Sequence, residues 1–79
     1  MIPEEMKLFI VDSEDDKEHF VRNFLIHDEN VLPVIDWIKW WLNESKIEYD
    51  QICSYVNDED NKEFVILYGG QVYFLLRRN

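Results

Sequence analysis

Apolar positions along this chain recur in two rhythms, one of period two and one near 3.6. Lys7-Leu8-Phe9-Ile10-Val11 is a short, apolar, β-favouring run and predicts a buried strand. Phe20, Val21, Phe24 and Leu25 follow at i, i+1, i+4 and i+5, one stripe of an amphipathic helix over about residues 14-27. Asp12 or Ser13 would cap that helix, with Glu14, Asp15 and Asp16 at the positive end of its dipole. A rival reading makes residues 17-27 a strand, with Asp15-Asp16 as the turn and Phe20, Phe24 and Ile26 inward. It would put Arg22 on the buried face, so the helix is preferred.

A second helix is predicted over about residues 31-44, with Asn30 as N-cap and Pro33 in the first turn. On a wheel of about 100° per residue, Val31, Val34, Ile35, Trp37, Ile38, Trp41 and Leu42 share one arc, and Trp40 falls at its edge. The last third reads as a β-meander over about 47-56, 62-68 and 71-77. A parity shift suggests a bulge near Gln51, and Asn57 to Asn61 form a polar turn. Gly69-Gly70 between two β-rich runs predicts a two-residue hairpin loop. That loop pairs Ile66 with Tyr73 and Phe64 with Leu75. One face then carries Val65, Leu67, Val72 and Phe74, and the other Phe64, Ile66, Tyr68, Tyr73 and Leu75. Both are apolar, so an uncovered one is a candidate interface. The expected fold is α+β, a small two-layer domain of one strand, two helices and a three-stranded meander. The strand alternative gives ββαβββ.

Composition narrows the picture. The 79 residues suit a single domain, 1-79, with a thin core. Seventeen acidic side chains against eight basic ones give a formal net charge of -9, while 47% of the chain is hydrophobic and 15% aromatic. Such a chain folds but repels bare nucleic acid and anionic membrane, and attracts basic proteins, including those that grip nucleic acid. One cysteine excludes an internal disulfide, and Cys53 is expected to pack in the core. The acidic N-terminus lacks a signal-peptide pattern, and the longest apolar runs span five residues, so a soluble, cytoplasmic protein is expected.

Candidate chemistry is sparse. Lys7 to Asp16, with the Phe20 to Leu25 stripe behind it, resembles the opening of a response-regulator receiver domain. That family needs an aspartate phosphoacceptor near Ser54-Tyr55 and five βα units, which this chain lacks. An EF-hand loop from Asp12 would need glycine and glutamate where Lys17 and Asn23 stand. His19 and His27 have no zinc partner at ligand spacing, and His27 is read at the carbonyl end of the first helix. Ser13 and Ser54 carry no nucleophile motif, so neither catalysis, cofactor nor metal is expected. Arg77-Arg78 are read as solubilising the edge of the last strand.

The remaining signal is a binding surface. The candidate partner-binding residues are Glu14, Asp15, Asp16, Glu18, Asp28 and Glu29 for charge, with Trp40, Tyr68 and Tyr73 as aromatic anchors. They suggest a non-catalytic inhibitor that occupies a basic, nucleic-acid-binding surface of a larger protein. Small phage anti-defence or anti-host proteins and immunity proteins share this composition. The alternative is a small homo-oligomeric accessory domain, dimeric through a sheet face or edge, whose acidity serves solubility only.

Overall fold

The computed structural model describes residues 2-58, 60 and 63-78. The chain runs β1 (Glu4–Asp12), β2 (Glu18–Ile26), α1 (Leu32–Glu44), β3 (Cys53–Asp58), β4 (Glu63–Leu67) and β5 (Val72–Arg78). This is the ββαβββ order. The strands form one antiparallel five-stranded sheet in the order β2-β1-β5-β4-β3. The register places the β1–β2 turn and the β4–β5 hairpin at one end, called upper here. The turn from β2 to α1, the end of β3 at Asp58 and the start of β4 at Glu63 lie at the lower end, and Glu59 and Asn61 of the expected polar turn lie outside the described residues.

The helix expected over 14-27 does not form, because its apolar stripe serves a strand. Asp12, Asp15 and Asp16 make the turn instead: Asp12 and Asp15 accept bonds from the amides of Glu14 and Lys17, and Asp16 sits at φ 54. A bulge in the β1–β2 ladder pairs Leu8 with Arg22 but Phe9 with Phe20, so Val21 is the extra residue. Below it Phe24 and Ile26 point inward, and above it Phe20 turns to the opposite face at 55% exposure. Burial of Arg22, the objection to a strand, is avoided at the sheet edge. Its guanidinium lies in the open, 4.4 Å above the Phe24 ring.

The final hairpin differs from expectation by one residue. Phe64 pairs with Leu76, Val65 with Leu75 and Ile66 with Phe74, so Gly69, Gly70 and Gln71 lie in the loop. Only Gly69 has a positive φ, 88°, whereas a two-residue type I′ turn needs two. Ser13 fixes the longer loop, its amide and hydroxyl both donating to the Gln71 carbonyl. A one-residue slip exchanges every β5 side chain between faces. Phe74 and Leu76 therefore share the core face with Phe64, Ile66 and Tyr68, while Tyr73 and Leu75 lie on the opposite face with Val65.

Residues 47-52 are not a strand. Ile47, Tyr49 and Ile52 instead pack on the core from an irregular segment. The meander's bulge lies between Val56 and Asp58, at Asn57, rather than near Gln51.

Helix α1 follows its sequence pattern closely. Val34, Ile38 and Leu42 are fully buried, and Val31, Trp37 and Trp41 pack partly buried beside them. Val31, rather than Asn30, is the cap residue, while Asn30 Oδ1 accepts the Leu32 amide at 3.2 Å. The helix ends in paired bonds from Lys46 to Asn43 and from Ile47 to Leu42, with Lys46 left-handed at φ 57. This is a Schellman closure, a motif usually completed by glycine.

The main core lies between α1 and one sheet face, where Met6, Leu8, Phe24, Ile26, Phe74 and Leu76 meet the helix. Trp41 and Phe74 meet edge to face at 5.7 Å, as do Phe24 and Trp37 at 6.3 Å. The other face holds a smaller cluster of Val11, Val65 and Leu75 with Phe9 and Tyr73.

Candidate docking surface

Strand alternation gives the second face its chemistry. Residues 73, 75 and 77 of β5, 63, 65 and 67 of β4, and 9 and 11 of β1 point away from α1. Among the described residues α1 is the sole helix, so this face has no helical layer over it. Val11, Val65 and Leu75 are nevertheless buried, under larger neighbours. Phe9 and Phe20 meet edge to face at 5.9 Å, and Tyr55 and Leu67 stand exposed beyond them.

One polar chain crosses this face. Arg77 Nε donates to Glu63 Oε2 at 2.7 Å, and its terminal nitrogens grip both oxygens of Glu18 at 2.8 and 3.0 Å. The guanidinium passes 5.2 Å from the centre of the Phe9 ring on its way to Glu18. Asn57 then donates to the remaining Glu63 oxygen at 2.8 Å. The chain thus links all five strands, from β3 through β4 and β5, over β1, to β2.

The electrostatics follow from that arrangement. The hydrogen bonds from Arg77 hold the Glu18 carboxyl below the ordinary carboxylate range. Glu18 and Glu63 in turn push the Arg77 guanidinium further above its already high ordinary value. Partial burial raises the Tyr73 phenol above its usual value, and the nearby charges of Asp16, Glu18 and Glu63, with Tyr55, add to the rise. Tyr73 therefore sits in a negative field on an apolar floor.

The residues expected to bind a partner fall into four places. Glu14, Asp15 and Asp16 occupy the β1–β2 turn at the upper end, with Glu18 beside them and Tyr73 near on the open face. Asp28 and Glu29 lie at the lower end, in consecutive left-handed conformations at φ 53 and 59. Trp40 is on the helix layer, 55% exposed, its ring 6.0 Å from Trp37. It borders a shallow concavity of about 650 Å³ with Tyr49, Glu48 and Asp50. Tyr68 is 8% exposed within the core, so the structure brings it to no surface.

Other expectations also change. Cys53 is exposed at the start of β3, the outermost strand, with Gln51 Nε2 3.3 Å from its sulfur. His27 ends no helix, because β2 precedes it. β5 lies in the middle of the sheet, so Arg77 and Arg78 protect no edge; Arg78 Nε instead donates to Glu4 at 3.0 Å. The sequence reading passed over Glu63, Asn57, Phe9, Phe20 and Tyr55 as surface candidates. Alternation from Tyr73 through Leu75 to Arg77 would have found part of that face, given the correct register.

Among the described residues no helix is long and apolar enough to cross a membrane, and no three His, Cys, Asp or Glu side chains are grouped to hold a metal ion. Comparison with protein-family models, curated proteins and solved structures finds no match.

Proposed function

We propose that this chain is a non-catalytic binding module that docks on a basic surface of a larger protein and blocks it. The docking surface is the open sheet face with its acidic upper rim. One observation carries the reading. Phe20 and Tyr55, 55% and 51% exposed, flank a face without a helical layer, whose central Tyr73 lies in the field of Asp16, Glu18 and Glu63. Apolar anchors inside a charged rim are the usual anatomy of a specific interface. The carboxylates would speed encounter with a basic partner, and the rings would supply the desolvated contact. Because Asp28 and Glu29 lie at the other end of the sheet, the mimicry of a nucleic-acid backbone rests on Glu14, Asp15, Asp16 and Glu18.

Affinity capture from the native host, across a salt series, tests this with a Phe20→Ala/Tyr55→Ala variant as control. Wild type should retain a basic protein that releases steeply with salt, and the variant should lose it while remaining folded. Equal retention by both, or retention indifferent to salt, would refute the reading.

A second reading has its own support in β3. This edge strand is exposed at every position from Cys53 to Asn57, leaving its outer backbone edge open to another copy. Light scattering separates the two, since a dimer stable at micromolar concentration favours the oligomeric domain.

A further inference from the structure

The open sheet face carries a concavity of about 360 Å³ where β3, β4 and β5 lie side by side. Val65 and Leu75, each 6% exposed, form its floor, with Leu67 beside them. Tyr55 borders it from the outermost strand and Tyr73 from the central one. We infer that this concavity receives one large apolar side chain of the partner, carried between lysines or arginines. The inference rests on the binding-module reading and names the motif the partner would present.

Charged groups line one side of the concavity, but they satisfy one another. Arg77 holds both oxygens of Glu18 and one of Glu63, and Asn57 holds the other Glu63 oxygen. A cation entering here would have to displace Arg77, and an anion would meet two carboxylates. An uncharged apolar side chain does neither, and gains by burial against Val65 and Leu75. The volume lies near the small end of ligand sites, about 300–1,000 Å³, which suits a side chain better than a nucleotide. The free charge stands just above. Among the described residues Glu14, Asp15 and Asp16 enter no ion pair. β1 ends one residue beyond Val11, the cross-strand partner of Tyr73, and Asp16 lies close enough to act on the Tyr73 phenol. Basic residues next to the buried one in the partner's sequence would therefore meet unpaired carboxylates. A second copy of this chain fits less well, because at a net charge of -9 it would set like charge against that rim.

The test uses the whole chain, labelled with ¹⁵N, read by amide chemical shifts at constant ionic strength. The probe is an acetylated, amidated pentapeptide with phenylalanine between two pairs of lysines, and its control has alanine at the centre. Saturable shifts centred on Tyr55, Leu67, Tyr73 and Leu75 are expected. The alanine peptide should bind about tenfold more weakly, the scale of partly burying one large apolar side chain. Glu14→Gln/Asp16→Asn should weaken binding about fivefold, a factor consistent with two exposed charges. Asparagine tolerates the left-handed backbone at position 16. Leu67→Trp, which fills the concavity from an exposed position, should abolish binding. The spectra of the variants themselves show whether the fold is kept. No saturable shift at millimolar peptide, equal binding of the alanine peptide, or binding unchanged in either variant would overturn the proposal. Shifts at the same four residues on raising the protein concentration alone would overturn it in favour of a second copy. If Leu67→Trp still captures a basic host protein while Phe20→Ala/Tyr55→Ala does not, the concavity is not the receptor and the module reading stands.

Discussion

Two backbone positions show how single residues decide local geometry here, and they respond oppositely to the same exchange. Lys46 closes α1 at φ 57, a conformation in which a Cβ crowds the following carbonyl. Its side chain is exposed, so Lys46→Gly loses little packing and should stabilise the fold by about 1 kcal/mol. Gly70 is the reverse case. Its φ is not positive, but a Cβ there would collide with the Tyr68 ring, which is itself held in the core. Gly70→Ala should cost about 1–3 kcal/mol, the range for overpacking. Urea midpoints of the two variants should therefore move in opposite directions around wild type, and midpoints moving together would refute the account. The sequence showed that glycine mattered at this loop. It did not show that the position of the Tyr68 ring, rather than a second positive φ, requires Gly70.

Elements were legible where one period dominated, and illegible where neighbours decided. The α1 pattern was unambiguous, and the buried positions Val34, Ile38 and Leu42 fall inside its predicted arc. The segment from Phe20 to Leu25 fitted two periods, because a bulge at Val21 breaks the alternation that would have marked a strand. Pairing with β1 settled it, and pairing is a property of two segments. The open face was illegible for a related reason: a one-residue difference in register puts Tyr73 and Leu75 on the face of Val65 and Leu67 rather than on that of Phe64, Ile66 and Tyr68.

The corrected register also creates the clamp of Arg77 on Glu18 and Glu63, which binds β2, β5 and β4 across β1. Its pH dependence has a definite sign. Glu18 titrates below its unfolded value, so its stabilisation is full above about pH 5 and is lost as pH falls through the folded value. The Arg77 and Glu18 side chains are 33% and 39% exposed, which limits the pair to under about 1 kcal/mol after solvent screening. Glu18→Gln should thus lower the urea midpoint at pH 7 and converge with wild type near pH 3. A gap that stays constant with pH would show that Glu18 acts through packing alone.

For the whole molecule, of extents 37 × 24 × 19 Å, two groups of acidic residues stand at opposite ends of the sheet. Glu14, Asp15 and Asp16 stand at the upper end, and Asp28 and Glu29 at the lower. At 0.01 M salt the Debye length is about 30 Å, so charges at the two ends still repel each other. At 0.15 M it is about 8 Å, and that repulsion is largely screened. Attractive pairs respond less, because Arg77–Glu18, Arg77–Glu63 and Arg78–Glu4 are in contact at 2.7–3.0 Å, well inside either length. With a net charge of -9 the long-range term is repulsive, so added salt should stabilise this fold. Each kcal/mol relieved is worth about 4–8 °C at this size, so the melting temperature should rise by several degrees between 10 and 150 mM sodium chloride. The same screening weakens attraction to a basic partner, so salt should move stability and partner affinity in opposite directions. A melting temperature that falls with salt would mean that the ion pairs outweigh the repulsion, and that the acidic ends are held by cations of this chain rather than left to attract another's.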